Sequence, residues 1–237
     1  MAKDMIEDDI YIEEEDELNE VPVNKLSLKY QFKTSRGRIR FITRVSMFMA
    51  LSFVFYSFIK IPLPIFPSFL EIKFHNLWII LGSYLTGPIG GVIIVLGTIL
   101  FKMLMIESST AYVGELTDLL ASIIIMLSGS LIYYYNHTKR GGIIGLIVSY
   151  ATWVISYFFI NWFISFPFYL NFYFKGNIDG FVNMLKGWNE SITKENIITI
   201  YLFGAVLPFN LLTGAINIGI LLPFYKSISN ILRKMGL

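Results

Sequence analysis

The chain has 237 residues, of which 55% are hydrophobic and 16% aromatic, and its mean hydropathy is +0.62. Only 15% of the residues are charged, against about 25% in an ordinary soluble domain, which excludes a soluble globular protein. The net charge of +2 gives no reason to expect a nucleic-acid partner. The absence of cysteine rules out disulfides and thiolate chemistry, and the wide separation of His75 and His137 argues against a catalytic metal site.

Charge divides the chain into three parts. Residues 1–24 hold ten acids and one base, which predicts an acidic disordered tail, with a docking segment for a partner as the alternative. Residues 25–40 form a basic juxtamembrane segment, and residues 41–237 form the membrane domain. The acidic start differs from a signal peptide, which is basic and then apolar.

Long uncharged runs predict the membrane-spanning helices, since about 20 apolar residues cross the hydrocarbon layer. Prolines at 62, 64 and 67 predict a loop over residues 60–73, and residues 171–196 are expected to form a long, polar, external loop. The run at 77–101 is open to two interpretations: one helix kinked at Pro88, or two helices joined by a turn at Gly87-Pro88. With two helices there, the predicted spans are 41–59, 74–86, 88–106, 116–135, 142–170 and 205–229.

The placement of lysine and arginine favours six spans over five. With six spans, twelve bases from residue 25 onward fall on the cytoplasmic side and six fall outside. The sequence therefore predicts an all-α, multi-pass plasma-membrane protein with six transmembrane helices, both termini cytoplasmic, and lipid around it. No internal repeat is evident, which is mild counter-evidence for an ion-coupled inverted-repeat transporter.

Polar residues cluster toward the predicted outer end of three helices, where polar groups are default candidates for a site. Each group has a structural alternative, namely a charged helix N-terminus or interhelical hydrogen bonds. Glu115, Asp118 and Ser122 share one face of the fourth helix, and Asn161 lies on the fifth. The sixth helix places Asn210, Thr213 and Asn217 on one face.

These groups predict an outer cavity for a planar, mostly apolar ligand with a hydrogen-bonding edge. Phe69 and Leu70, in the loop from Phe66 to Glu71, are expected to close over it. The aromatic residues expected beside it are Phe158, Phe159, Trp162, Phe166 and Phe209.

Other features bear on partners and activity. Ser46 and Ala50 form a small-xxx-small pair on the first helix, which suits close approach of another helix. No P-loop or other catalytic motif occurs, so we expect no enzyme activity, and active transport would draw on another subunit or an ion gradient. The alternatives are a non-transporting membrane assembly protein and an intramembrane enzyme that uses Glu115 and Asp118 as an acid–base pair.

Several short stretches, in order and spacing, resemble the substrate-binding (S) components of energy-coupling factor (ECF) vitamin transporters, most closely the riboflavin type. The resemblance covers about residues 41–229. The matching stretches are residues 67–74 (PSFLEIKF), 85–91 (LTGPIGG), 114–116 (GEL), 161–163 (NWF) and 208–212 (PFNLL).

The resemblance implies a six-helix S component that captures riboflavin, FMN or another vitamin at its outer face. It implies as partners a transmembrane coupling subunit, which Ser46 and Ala50 would contact, and two ATPases. It also implies that Asn161 and Asn210 contact the flavin. Thr213 stands where riboflavin binders usually carry a lysine, and Asp118 stands where the family usually has an asparagine. Glu115, Asp118 or Thr213 is expected to meet the polar tail of the ligand.

Overall fold

The computed structural model describes residues 27–108 and 110–234, and the side chains of these residues except at positions 30 and 225–234. The predicted acidic tail, residues 1–24, lies outside the described residues, as do positions 25 and 26 of the basic segment. The elements in chain order are α1 (Leu28–Gln31), α2 (Ser35–Ser57), β1 (Lys60–Pro62), β2 (Glu71–Lys73), α3 (His75–Met105), α4 (Val113–Tyr135), α5 (Lys139–Ile160), a π-helical segment (Asn161–Ser165), α6 (Phe166–Phe174), α7 (Ile178–Lys186), α8 (Ile197–Thr199), a second π-helical segment (Ile200–Val206) and α9 (Leu207–Lys234).

The predicted all-α membrane architecture is confirmed. Within the described residues, five helices are long and apolar enough to cross a membrane: Ser35–Ser57, His75–Met105, Val113–Tyr135, Lys139–Phe174 and Ile197–Phe224. The number of spans and the cytoplasmic position of both termini stay predictions, although the path of α3 bears on the number.

Helix α3 folds back on itself at Gly87, as the two-helix interpretation requires. Gly87 has φ 81° and ψ 173°, a conformation that is essentially restricted to glycine. A Cβ on Gly82 would lie 2.5 Å from the Cδ1 of Ile94, and a Cβ on Gly91 would lie 2.6 Å from the Cβ of Ser83. Residues before and after Gly87 therefore lie side by side, which a continuous helix with a rise of about 1.5 Å per residue would not allow.

Helix α2 begins at Ser35, earlier than the predicted start at residue 41. The Thr34 hydroxyl accepts a hydrogen bond from the Gly37 amide and caps the first turn. Residues 35–40 of the basic segment therefore form the start of this helix. Ser46 and Ala50 are exposed on α2, turned away from the other helices.

The predicted loop at 60–73 contains a two-stranded antiparallel sheet, the one departure from helix and loop among the described residues. Lys60 pairs with Lys73, and Pro62 pairs with Glu71. Pro62 is tolerated because each strand of a two-stranded sheet has a free edge. The pairing anchors both ends of the intervening segment, residues 63–70, beside the start of α3.

The last two spans each contain a π-helical segment followed by a proline. Pro167 follows Asn161–Ser165, and Pro208 follows Ile200–Val206. The wider π-helical hydrogen-bonding pattern accommodates prolines, which lack a backbone donor. The fifth helix therefore continues through Pro167 to Phe174, beyond its predicted end.

The expected loop at 171–196 is partly helical. Helix α7 buries its apolar face, at Phe181, Val182 and Leu185, in a small cluster with residues of the last span such as Tyr201 and Leu202. Its apolar residues recur at helical spacing. The helix was not predicted because the prediction relied on long uncharged runs, and this segment is short and contains charged residues. The main core lies among α2, α3, α4, α5 and α9.

Candidate functional site

A small cavity of ≈ 90 Å³ lies between α4, the last two spans and the β2–α3 junction, and we call it the amide cavity. This volume is below the usual range for small-molecule sites, about 300–1,000 Å³, so a ligand in that range also needs the adjoining space. The residues that line it are Phe69, Leu70, Lys73, His75, Gly114, Thr117, Asp118, Trp153, Tyr157, Asn161, Ser165, Tyr169, Tyr201, Phe209, Asn210 and Thr213. Six of the seven predicted ligand residues are among them, and Glu115 is the exception.

Asn161 is held at the start of a π-helical segment. Its Nδ2 donates to the Tyr157 carbonyl at 2.8 Å, and its Oδ1 accepts from the Tyr201 hydroxyl at 3.0 Å. An amide offers two donors and two acceptor lone pairs, so half of this capacity is left for a ligand.

Asn210 is held in a similar way beyond the second π-helical segment. Its Nδ2 donates to the Val206 carbonyl at 2.8 Å, and its Oδ1 accepts from the Trp153 indole at 3.3 Å. π-helical segments are frequent at functional sites because they reorient side chains within a helix. Both amides are oriented toward one cavity and retain hydrogen-bonding capacity.

Thr213 lies one turn further along the last span and is 4% exposed. Its hydroxyl has no hydrogen-bond partner among the described residues. Buried hydroxyls are nearly always paired, so an unpaired one on a cavity wall is suited to a ligand atom. Asn217 lies behind it, and its Nδ2 donates to the Thr213 carbonyl at 3.0 Å and to the Lys73 carbonyl at 3.2 Å.

Asp118 accepts three hydrogen bonds in the wall of the amide cavity. Its Oδ2 receives the Tyr56 hydroxyl at 2.7 Å and the Lys73 ammonium at 2.7 Å, and its Oδ1 receives the Tyr157 hydroxyl at 2.8 Å. The Asp118 side chain is 8% exposed, whereas that of Lys73 is 25% exposed. The carboxylate is therefore enclosed by its donors, while the ammonium reaches open space.

The Lys73 ammonium stays charged at neutral pH. Burial lowers the pKa of Lys73, but the adjacent Asp118 carboxylate outweighs that effect and leaves this pKa above its usual value. The ammonium also lies 5.0 Å from the centre of the Tyr56 ring, a cation–π distance. Lys73 thus brings a fixed positive charge to the cavity.

Glu115 lies outside the amide cavity. It forms a buried ion pair with Lys102, and its other oxygen accepts from the Ser108 hydroxyl at 2.8 Å and the Thr110 hydroxyl at 3.2 Å. The prediction grouped it with Asp118 because the two share a helix face. The carboxylates differ in their partners, so the geometry gives no support to an acid–base pair.

An adjoining cavity of ≈ 310 Å³ is lined in part by Glu115, and we call it the charged cavity. It shares Phe69, Lys73, Gly114 and Tyr169 with the amide cavity. The rest of its lining is polar or charged, namely Tyr56, Lys60, Ser68, Glu71, Lys102, Thr110 and Glu115.

The aromatic lining differs from the prediction. Phe209 lines the amide cavity as expected, but Phe159 and Trp162 are 46% and 41% exposed and face away from it. Phe158 stacks edge-on against Phe203, and Phe166 packs in the small cluster beside α7. The prediction failed because closeness in sequence to Asn161 places these rings at the right depth but on the wrong faces of the helix.

The segment between the two strands covers the amide cavity. The ring of Phe66 packs edge-on against that of Phe209 at 5.3 Å, and Phe69 lies 6.3 Å from Tyr201. The Trp188 indole donates to the Ile65 carbonyl at 2.8 Å and ties this segment to the chain after α7. Phe69 and Leu70 therefore lie in the segment that covers the amide cavity.

Sequence reasoning missed several polar lining residues. Lys73 and His75 directly follow the predicted covering loop, and Tyr157 lies one helical turn before Asn161, so their sequence positions were a usable signal. His75 is held by Ser122, whose hydroxyl lies 3.3 Å from Nε2. Within the described residues, no group of three histidine, aspartate or glutamate side chains could hold a metal ion.

Comparison with known protein families gives one match over most of the chain. The family described as "ECF transporter, substrate-specific component" matches residues 40–225. The chain also resembles a solved structure of the S component of a bacterial ECF transporter. That likeness has a TM-score of 0.61 and 23% identity, and it covers 82% of this chain and 98% of the other.

Two curated relatives are similar along most of their length. The riboflavin transporter RibU of Staphylococcus aureus (strain TCH60) is 26% identical over 196 residues, which cover 83% of this chain and 93% of that protein. The riboflavin transporter RibU of Leuconostoc mesenteroides is 27% identical over 185 residues, which cover 76% of this chain and 86% of that protein.

Proposed function

Since the chain belongs to the family of substrate-specific components of ECF transporters, we propose that it captures riboflavin in the amide cavity for import through an ATPase-driven partner. The chain is a multi-pass membrane protein of a transporter family. The two curated relatives, both named as riboflavin transporters, support the choice of ligand.

The observation that carries the proposal is the pair of half-satisfied amides, Asn161 and Asn210, in one buried cavity. A flavin ring has alternating carbonyl and N–H groups along one edge, and an amide can both donate to and accept from such an edge. Tyr201, Phe209 and Trp153 supply ring faces and edges around the amides, as a planar aromatic ligand requires.

Riboflavin enters from outside when the segment carrying Phe69 and Leu70 swings away, and this segment then shields it from water. ATP hydrolysis takes place in two partner ATPases and reaches this chain through a membrane coupling subunit. The exposed Ser46 and Ala50 on α2 offer that subunit a surface of small side chains. The chain itself performs no catalysis.

The test is a titration of the purified, detergent-solubilised protein with riboflavin, followed through the quenching of flavin fluorescence. Saturable quenching at a protein-to-flavin ratio of about one to one is expected. FMN, titrated in parallel, distinguishes riboflavin from its phosphorylated form. If neither flavin is quenched but another vitamin raises the unfolding temperature, that vitamin and not riboflavin is the ligand. No response to any vitamin would favour a non-transporting assembly protein.

A further inference from the structure

The amide cavity and the charged cavity are unlike in chemistry but adjoin. The first presents amides and aromatic rings, and the second presents Lys60, Glu71, Lys102 and Glu115 together with hydroxyl groups. Riboflavin is divided in the same way, into a planar ring system and a flexible chain of hydroxyl groups. A ligand whose ring edge meets Asn161 therefore has a polar space beside it for the chain.

Lys73 lies where the two cavities meet, because it belongs to the lining of both. Its backbone is fixed by pairing with Lys60 across the small sheet and by the hydrogen bond from Asn217 to its carbonyl. An ammonium has three N–H donors, and among the described residues Asp118 is the one acceptor it reaches. Two donors are therefore available on a rigidly placed, partly exposed cation.

Asp118 is differently placed. Tyr56, Tyr157 and Lys73 occupy its oxygens, and its side chain is nearly closed off from both cavities. A carboxylate held this way orients the ammonium and offers little surface of its own to a ligand. The pair also leaves no net charge, which suits an uncharged ligand rich in hydroxyl groups better than a strongly anionic one.

We propose that Lys73 is a ligand-binding residue that holds the hydroxyl chain of the flavin, with Asp118 as its positioning residue. The inference rests on the proposed function, and it adds a contact that the family resemblance did not supply. The hydroxyl oxygens of the chain accept the two remaining ammonium hydrogens, and the chain extends from there into the charged cavity.

The experiment compares riboflavin with lumiflavin, which has the same ring system but a methyl group in place of the hydroxyl chain. Wild-type protein is expected to bind riboflavin at least about tenfold more tightly than lumiflavin. The variant Lys73→Met is expected to lose about 10- to 100-fold in riboflavin affinity, the range for a hydrogen bond from a charged donor, with little change for lumiflavin.

The double variant Lys73→Met with Asp118→Asn tests whether Lys73 acts only by neutralising Asp118. If Lys73 touches the ligand, the double variant remains as weak for riboflavin as the single variant. Recovery of riboflavin affinity in the double variant, or an equal loss for both flavins, would overturn the inference. The matched control is Lys194→Met, which breaks the exposed pair with Asp179 (2.7 Å) away from both cavities and leaves both affinities unchanged.

Failure of the inference is separable from failure of the proposed function. Wild-type protein that binds neither flavin overturns both. If wild-type protein binds riboflavin and lumiflavin equally, the flavin site stands but the hydroxyl chain has no contact there, and Lys73 is not a ligand-binding residue. This outcome is obtained with wild-type protein alone, so it does not depend on the folding of a variant.

Discussion

Replacing Asn161 by alanine should weaken riboflavin binding by about 5- to 150-fold. The amide keeps one N–H donor and one acceptor lone pair free after its bonds to Tyr157 and Tyr201. Two hydrogen bonds to the flavin edge, at about 0.5–1.5 kcal/mol each, contribute about 1–3 kcal/mol, which corresponds to that range in Kd.

The same change also affects the protein without ligand. The Tyr201 hydroxyl is buried and donates to Asn161, so the alanine variant leaves it without that acceptor, at a cost of about 1–3 kcal/mol in stability. The variant Tyr201→Phe removes this hydroxyl and keeps the Asn161 amide. It therefore measures how far affinity depends on the orientation of the amide alone.

The assay is fluorescence titration with riboflavin beside thermal unfolding in the same detergent. Asn183→Ala, on the exposed side of α7, is the matched control and should change neither quantity. A Kd for Asn161→Ala within about twofold of wild type would refute the assignment of this amide to the site. A lowered unfolding temperature with unchanged Kd would reduce its role to packing.

Three further predictions concern packing, charge and closure. Gly129→Val should lower the unfolding temperature by several degrees, because a Cβ there would lie 2.8 Å from a backbone oxygen of α5. The control Gly219→Val, where a Cβ would have nothing within 4 Å, should leave the unfolding temperature unchanged, and equal effects of the two changes would contradict this packing. Lys102→Met should destabilise the protein by about 3–5 kcal/mol in thermal unfolding, because it leaves the buried Glu115 carboxylate without its cation. Adding Glu115→Gln should recover most of this loss, and no recovery would show that the unpaired carboxylate is not the cause. Trp188→Phe should speed riboflavin release up to about tenfold in stopped-flow chase, as one hydrogen bond that holds the covering segment is lost, and an unchanged release rate would show that this bond does not limit opening.

The helices could be predicted because the membrane imposes a local rule. Every backbone group in hydrocarbon must be paired within its own helix, so long uncharged runs are helical whatever their neighbours are. The turn at Gly87 could be foreseen as one of two options because a Gly-Pro pair permits it. Charge balance, a property of the whole chain, favoured the fold-back.

The boundaries outside the hydrocarbon could not be predicted in this way. The early start of α2 depends on Thr34 as a cap, and the continuation through Pro167 depends on a π-helical segment. Helix α7 is stabilised by the cluster around Phe181, which forms only when the last span is present. These elements depend on tertiary contacts that the local sequence does not specify.

The candidate site shows the same contrast between local features, which the sequence predicts, and tertiary contacts, which it does not. The depth of Asn161 and Asn210 along their helices could be predicted from sequence, and the structure brings both to one cavity. The partner of each charged residue could not be predicted, because the partners are distant in sequence: 45 positions separate Lys73 from Asp118. Glu115, which was expected to meet the polar tail of the ligand, pairs with Lys102 and lines the charged cavity and not the amide cavity.

The two ion pairs beside the cavities, Lys73–Asp118 and Lys102–Glu115, are better explained by binding than by stability. Removing two charges from water costs several kcal/mol per ion, and well-packed apolar residues in their place are often equally or more stabilising. The region where α4 and α5 pack closely, around Gly129 and Gly145, contains small residues and carries no such pairs among the described residues. Charge is therefore retained beside the cavities, where Lys73 can meet a ligand, and is absent where the helices only pack.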